Sequence, residues 1–308
     1  MEAEIQRIGK YYSDLSQRSI RQIPNRLNTY HDTEVIPNLE IEHNKFGAWP
    51  SSLNSLRECS SNFYFDELTL WVTDPLSHVV SPVVLDPQLI DIILQNRLNE
   101  YCNNPDSRLN LLFSRILLTI QDSFKIKMHR DFEEFSKDFL NNGYTHIPSL
   151  FSPLVVASLR NYFSRLTDLP NVRHGGQVNL RAKMLNETVA KFFHHQLSYL
   201  VGQIVGKVVK PSFSSVTKYF GGAELHPHKD REQCEYSISY CIDHFPVPHS
   251  SIRWPLHLGN QTFEHSIGDA ILFKGRELLH WRSPLSEQQT STFLFLHFVD
   301  DDFQGDLD

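Results

Sequence analysis

The chain has 308 residues, 40% of them hydrophobic and 21% charged, with 12% aromatic residues that include 21 Phe. This is an ordinary composition for a globular protein with a substantial core, and the length calls for two units or one elaborated domain. A net charge of −7 argues against a nucleic-acid binder, which needs a basic stripe.

The N-terminal Met1-Glu-Ala-Glu-Ile-Gln-Arg7 lacks the basic and apolar regions of a signal peptide. Residues 1–60 are polar and irregular, with a short helix expected near Ile5–Ser16. Strand-like runs follow at Leu68–Thr73 and Val79–Leu85, separated by Asp74-Pro75. Pro87–Tyr101 and Pro105–Asp122 carry apolar residues at helical spacing, each with a proline near the first turn. The most apolar stretch, Leu109–Ile120, contains Arg115 and is too short to span a bilayer. Residues 1–130 therefore read as a mainly helical accessory region that completes a core. Substrate docking or formation of a homodimer are the other uses considered for its apolar faces. Cys59, Cys102, Cys234 and Cys241 show no CxxC spacing, which suits free thiols in a reducing compartment. A cytoplasmic protein is expected, with no membrane or nucleic-acid partner.

A helix is expected over 131–141 and a strand over Gly143–Pro148. Ser152-Pro153-Leu154 then places an N-cap and an N1 proline ahead of a helix to about Leu166. The segment between Leu169 and Arg181 is rich in turn residues. Asn186–Val205 reads as a helix with Ala190, Phe193, Leu197, Leu200, Val201 and Ile204 on its apolar side. His194 and His195 on that helix are structural or exposed.

The most informative stretch comes next. Phe213–Phe220 reads as a strand, and Gly221-Gly222 lets the backbone turn. Then come His228-Lys229-Asp230, whose first and third side chains share one face of an extended segment. His280 closes the later run Gly268-Asp-Ala-Ile-Leu-Phe-Lys-Gly-Arg-Glu-Leu-Leu-His280. Two imidazoles and one carboxylate make the facial set that holds Fe(II) and leaves positions open.

With these motifs, residues 213–300 resemble the Fe(II)/2-oxoglutarate-dependent oxygenases. The matching features are Tyr219-x-x-Gly222, His228-x-Asp230, the strand Cys234–Asp243, Gly268-Asp269-Ala270, His280 and the strand Ser291–Val299. From about residue 131 the lead-in resembles the prolyl- and phytanoyl-hydroxylase branches. The resemblance implies an α+β fold, with a double-stranded β-helix (jelly-roll) catalytic domain over 131–308. It implies His228, Asp230 and His280 as ligands to Fe(II), with 2-oxoglutarate and O2 as cosubstrates. The implied reaction hydroxylates a C–H bond of an amino-acid, peptide or natural-product substrate and releases succinate and CO2. Because Asp230 is retained, the related halogenases, which carry Gly or Ala there, are disfavoured.

One departure stands out. Gln289 occupies the register where such enzymes place the cation for the distal carboxylate of 2-oxoglutarate, although Ser291 fits the serine of that motif. Arg282, two residues after His280 and so on its inward face, is the first substitute, ahead of Lys218 and Arg253. Tyr219 is placed like a tyrosine that contacts 2-oxoglutarate in prolyl hydroxylases. Arg181, Lys183, Tyr240 and Trp281 are expected around the mouth, which would suit a polar or anionic substrate. The alternatives are a cupin-type metalloprotein using His226, His228, Glu232 and His280, and a non-catalytic barrel serving as sensor or scaffold.

Overall fold

The structure, a computed structural model, describes residues 47–65, 69–74, 76–84, 131–167, 180–246 and 254–307, with isolated residues and short backbone segments elsewhere. The helices expected at Ile5–Ser16, Pro87–Tyr101 and most of Pro105–Asp122 lie outside the described residues, apart from single positions. In chain order the elements begin with β1 (Ile36–Pro37), a 3-10 helix (Ser51–Asn62), β2 (Thr69–Thr73), β3 (Val80–Val84) and β4 (Leu118–Thr119). Next come α1 (Asp122–Asn142), β5 (Tyr144–Ile147), α2 (Pro153–Leu166), β6 (Arg173–His174), β7 (Arg181–Leu185), α3 (Thr188–Gln196) and α4 (Ser198–Val205). The remainder is β8 (Val209–Phe220), β9 (Leu225–His228), β10 (Tyr236–Phe245), β11 (Leu256–Leu258), β12 (Gln261–Phe263), β13 (Ala270–Lys274), β14 (His280–Arg282) and β15 (Thr290–Asp300).

The chain divides into two compact units, residues 1–130 with 151–162, and residues 131–150 with 163–308. In the first, β2 and β3 form an antiparallel hairpin whose turn is held by Asp74, which accepts from the backbone N–H groups of Leu76 and Ser77 at 2.9 Å. Its core includes Tyr12, edge-on to Phe63 at 5.1 Å, and the cluster of Trp49, Phe65 and Trp71. Leu118–Thr119 pair with Ile36–Pro37. The helix expected to reach Asp122 is therefore extended at this point, where Thr119 is β-branched and favours a strand over a helix.

The second unit is a mixed α/β assembly in which every strand pairing among the described residues is antiparallel. One sheet has seven strands in the order β5-β13-β10-β15-β8-β7-β6, the other four in the order β12-β11-β14-β9. From β8 onward the chain shuttles between them. β8, β10, β13 and β15 belong to the larger sheet, and β9, β11, β12 and β14 to the smaller. Long-range pairing is paid for by burial: Phe293, Leu294, Leu296 and Phe298 of β15 are all fully buried.

Helices α3 and α4 pack on β8. The helix expected over Asn186–Val205 is interrupted at Leu197, although the apolar spacing continues across the break. Glu187 caps α3 by accepting from the Ala190 N–H at 3.0 Å. His194 is buried, and its Nε2–H donates to the His297 carbonyl at 2.8 Å. That carbonyl lies at a register shift between Leu296 and Phe298, and the Ser212 hydroxyl donates to it as well.

Candidate active site

β9 and β14 pair so that His228 sits opposite His280, and the two rings lie 4.2 Å apart. Nδ1 of His228 faces the His226 carbonyl at 2.8 Å, and Nδ1 of His280 faces that of Leu278 at 3.0 Å. A carbonyl only accepts, so each Nδ1 carries the proton and each Nε2 presents a lone pair. Both Nε2 atoms point at Asp230 Oδ1, at 3.6 and 3.5 Å. The turn after β9 brings the carboxylate there, with the Asp230 N–H donating to the Gly275 carbonyl at 2.9 Å. Gly275 must be glycine: a Cβ would collide with Asp230 Oδ2, the Cys234 carbonyl and Ser237 Oγ. Two neutral imidazole nitrogens and a carboxylate oxygen within 4.8 Å form a set able to hold a metal ion.

The other carboxylate oxygen is held separately. Ser237 Oγ donates to Asp230 Oδ2 at 3.0 Å and is itself 2.9 Å from His297 Nδ1. Phe213 stacks on the His297 ring at 4.4 Å. Burial alone pushes the Asp230 carboxyl up, but the adjacent His280 ring, the His297 ring and the hydrogen bond from Ser237 hold it down at about 2. Burial, then the neighbouring His280, lowers His228. Asp230, Cys234 and His297 make a second compact group. It is the poorer ligand set, because burial and Asp230 push the Cys234 thiol up to about 12 and Ser237 occupies His297 Nδ1.

Arg282 is fully buried. It donates to the Trp254 carbonyl, to Ser239 Oγ at 3.2 Å and to His265 Nδ1 at 3.4 Å, with its guanidinium 4.1 Å from the Phe293 ring and 5.1 Å from that of Trp254. Its Nε–H has no partner, and it forms no ion pair among the described residues. Burial pulls its pKa down to about 10, which leaves it a cation at neutral pH. Phe293, on β15, thus faces the interior where an arginine reaches in from the opposite sheet. Ser237 and Ser239 share one face of β10, so the Arg282 head lies about 7 Å along the strand from the Asp230 anchor.

Tyr219 is buried edge-on to Trp254 at 4.8 Å, close enough to Arg282 to feel its charge. Ser291 is buried too, but its hydroxyl lies 2.7 Å from His244 Nδ1, and the Nε2–H of that ring donates to the His265 carbonyl. Its proton is therefore committed to His244. Lys218, between inward Thr217 and Tyr219, lies on the other face of β8 and sits 5.8 Å over Phe220. Arg253 is outside the described residues.

Two mouth residues are corrections. Trp281 alternates with His280 and Arg282 and stacks outside on His257 at 5.0 Å. Tyr240 alternates with Ser239 and so takes the outer face of β10. His226 is exposed, 3.5 Å from Glu224, and Glu232 is exposed as well. Neither joins a metal-competent group of described residues. Sequence reasoning missed Ser237, Ser239, His265 and His297. The signal available was small polar residues at alternate positions of a strand otherwise apolar.

No protein-family model matches the chain, and no curated protein matches it in sequence. Solved structures that resemble it include the non-heme alpha ketoglutarate dependent epimerase SnoN from nogalamycin biosynthesis, at 13% identity and TM-score 0.47 over 56% of this chain and 84% of that one. A 2OG-Fe(II) oxygenase family oxidoreductase from Burkholderia pseudomallei gives 9% identity and TM-score 0.45, covering 57% of this chain and 92% of that one. HygX from Streptomyces hygroscopicus, solved with nickel and 2-oxoglutarate bound, gives 10% identity and TM-score 0.45, covering 55% and 87%. At such distance the reading of function stands on the residues of the site.

Proposed function

We propose that this chain is an Fe(II)- and 2-oxoglutarate-dependent oxygenase that hydroxylates a C–H bond of a small-molecule or peptide substrate. The carrying observation is the convergence of His228 Nε2, His280 Nε2 and Asp230 Oδ1, with a buried arginine one step deeper in the same interior. The shuttling of β8 to β15 between two antiparallel sheets supports a double-stranded β-helix as the frame. Residues 131–308 would be the catalytic domain and 1–130 an accessory region.

His228, Asp230 and His280 would hold Fe(II), which supplies the activation of O2 when bound. The Nδ1–H bonds to backbone carbonyls fix both rings, and Ser237 restricts Asp230 to a single metal-facing oxygen. Arg282 would bind the distal carboxylate of 2-oxoglutarate, because a buried guanidinium without an acidic partner among the described residues favours an anion. Phe293, Trp254 and Tyr219 pack around that guanidinium and would keep water from it. The cupin alternative is not favoured, since His226 and Glu232 turn outward. An anaerobic titration tests the proposal: Fe(II) with 2-oxoglutarate should give a visible charge-transfer band. Oxygen consumption indifferent to 2-oxoglutarate, with no such band, would reject it.

A further inference from the structure

The acceptors that hold the buried Arg282 are all uncharged, and one of them is a histidine fixed in a single tautomer. His265 lies between β12 and β13 and is fully buried. Its Nε2 is 3.0 Å from the Ser239 carbonyl, which only accepts, so Nε2 carries the proton. Its Nδ1 therefore turns a lone pair to Arg282 Nη2 at 3.4 Å, and a guanidinium only donates. The two contacts agree on one neutral tautomer. Burial, then the neighbouring Arg282 charge, holds the ring well below the ordinary histidine range, so it stays neutral at neutral pH. Ser239 closes the arrangement: its carbonyl accepts from His265 while its hydroxyl meets the same Arg282 Nη2 at 3.2 Å. The main chain of His265 is anchored as well, since His244 Nε2 donates to its carbonyl at 3.1 Å. Phe293 lies edge-on to the ring at 5.4 Å.

A buried guanidinium is ordinarily paired with a carboxylate, which also cancels its charge. Here the Trp254 carbonyl, the Ser239 hydroxyl and the His265 imidazole take its N–H groups instead, and the Nε–H keeps no partner. Neutral acceptors fix where the cation points and leave its attraction for an anion intact. Resting on the reading of Arg282 as the cation for the distal carboxylate of 2-oxoglutarate, we propose that His265 is a positioning residue for that cosubstrate. Its imidazole aims the guanidinium and preserves the full charge. The role belongs to the Nδ1 lone pair, so another neutral acceptor at that atom should serve, and a negative charge there should not.

The test titrates 2-oxoglutarate into the Mn(II)-loaded full chain by calorimetry. His265→Leu should bind it roughly tenfold or more weakly than the wild type, with Mn(II) affinity unchanged. His265→Asn carries an oxygen where Nδ1 lies and should regain most of the loss. His265→Gln carries its N–H where Nε2 lies, keeps the Ser239 contact and should bind no better than His265→Leu. His265→Asp supplies the acceptor together with a charge and should be at least as weak as His265→Leu. Wild-type affinity in His265→Leu overturns the proposal, as does a His265→Asn no better than His265→Leu. Rescue by His265→Gln also overturns it, making the ring a brace for β10, and so does rescue by His265→Asp. Should His265→Leu fail to fold, the two isosteres decide: His265→Asn tighter than His265→Asp by tenfold upholds the proposal, and equal affinities overturn it. If the wild type binds no 2-oxoglutarate, or Arg282→Met binds it equally well, the reading of Arg282 falls instead. The orienting role is then decided without metal or cosubstrate by the Arg282 Nε–H magnetic resonance signal, assigned by its loss in Arg282→Met. That signal should hold its position in His265→Asn and shift or broaden in His265→Leu; no change in His265→Leu overturns the role.

Discussion

Ser237 and His297 are direct cross-strand partners on β10 and β15, and their side chains meet 2.9 Å apart beneath Asp230. His297 Nδ1–H donates to Ser237 Oγ, whose own proton goes to Asp230 Oδ2 at 3.0 Å. The pair fixes the carboxylate so that only Oδ1 faces the imidazoles. Ser237→Ala removes one hydrogen bond to a charged group, an effect of about 1.5–3 kcal/mol. The expected result is a loss of roughly tenfold or more in Mn(II) affinity by calorimetry, with the folded chain intact. Unchanged affinity would mean that the two imidazoles position Asp230 unaided.

His228→Ala, Asp230→Ala and His280→Ala should each abolish measurable metal binding while leaving the circular dichroism spectrum unchanged. His226→Ala should bind metal as the wild type does, since its ring is exposed beside Glu224. Loss of binding in His226→Ala would revive the four-ligand cupin arrangement.

Arg282→Met should leave metal affinity near the wild-type value and raise the 2-oxoglutarate requirement steeply. Removing one partner of a buried charge pair costs about 3–5 kcal/mol, or on the order of a hundredfold or more in affinity. An unaltered requirement would take the cosubstrate away from Arg282.

Stability should fall with acid through His194. Burial holds this ring down at about 3, with its bond to the His297 carbonyl opposing and the His195 and His297 charges assisting. The unfolded chain binds a proton near 6.5 and the folded one does not, so the contribution is complete above pH 6.5 and is lost as pH falls towards 3. Denaturant unfolding of the wild type at pH 7 and pH 4.5 should therefore differ more than that of His194→Leu. Identical pH slopes would contradict this.

The site was legible where two-residue spacing governs it. His228-x-Asp230 and His280-x-Arg282 each declare a shared strand face, and the structure places all four side chains inward. The same alternation shows why Trp281 and Tyr240 were misplaced: each neighbours an inward residue and must point away. Ser237 and His297 could not be read, because only the β10–β15 register joins them. The break at Leu197 was invisible because the apolar period runs through it. For Ser291, the motif suggested a cosubstrate contact, whereas pairing with His244 depends on a strand distant in sequence.

The central claim is that His228, Asp230 and His280 support turnover of 2-oxoglutarate. Fe(II)-loaded protein, supplied with 2-oxoglutarate, ascorbate and oxygen, should form succinate at a rate that rises with iron occupancy. Asp230→Ala at the same protein concentration should match the protein-free control. Succinate formed equally by wild type and Asp230→Ala, or by neither under iron saturation, would contradict the account.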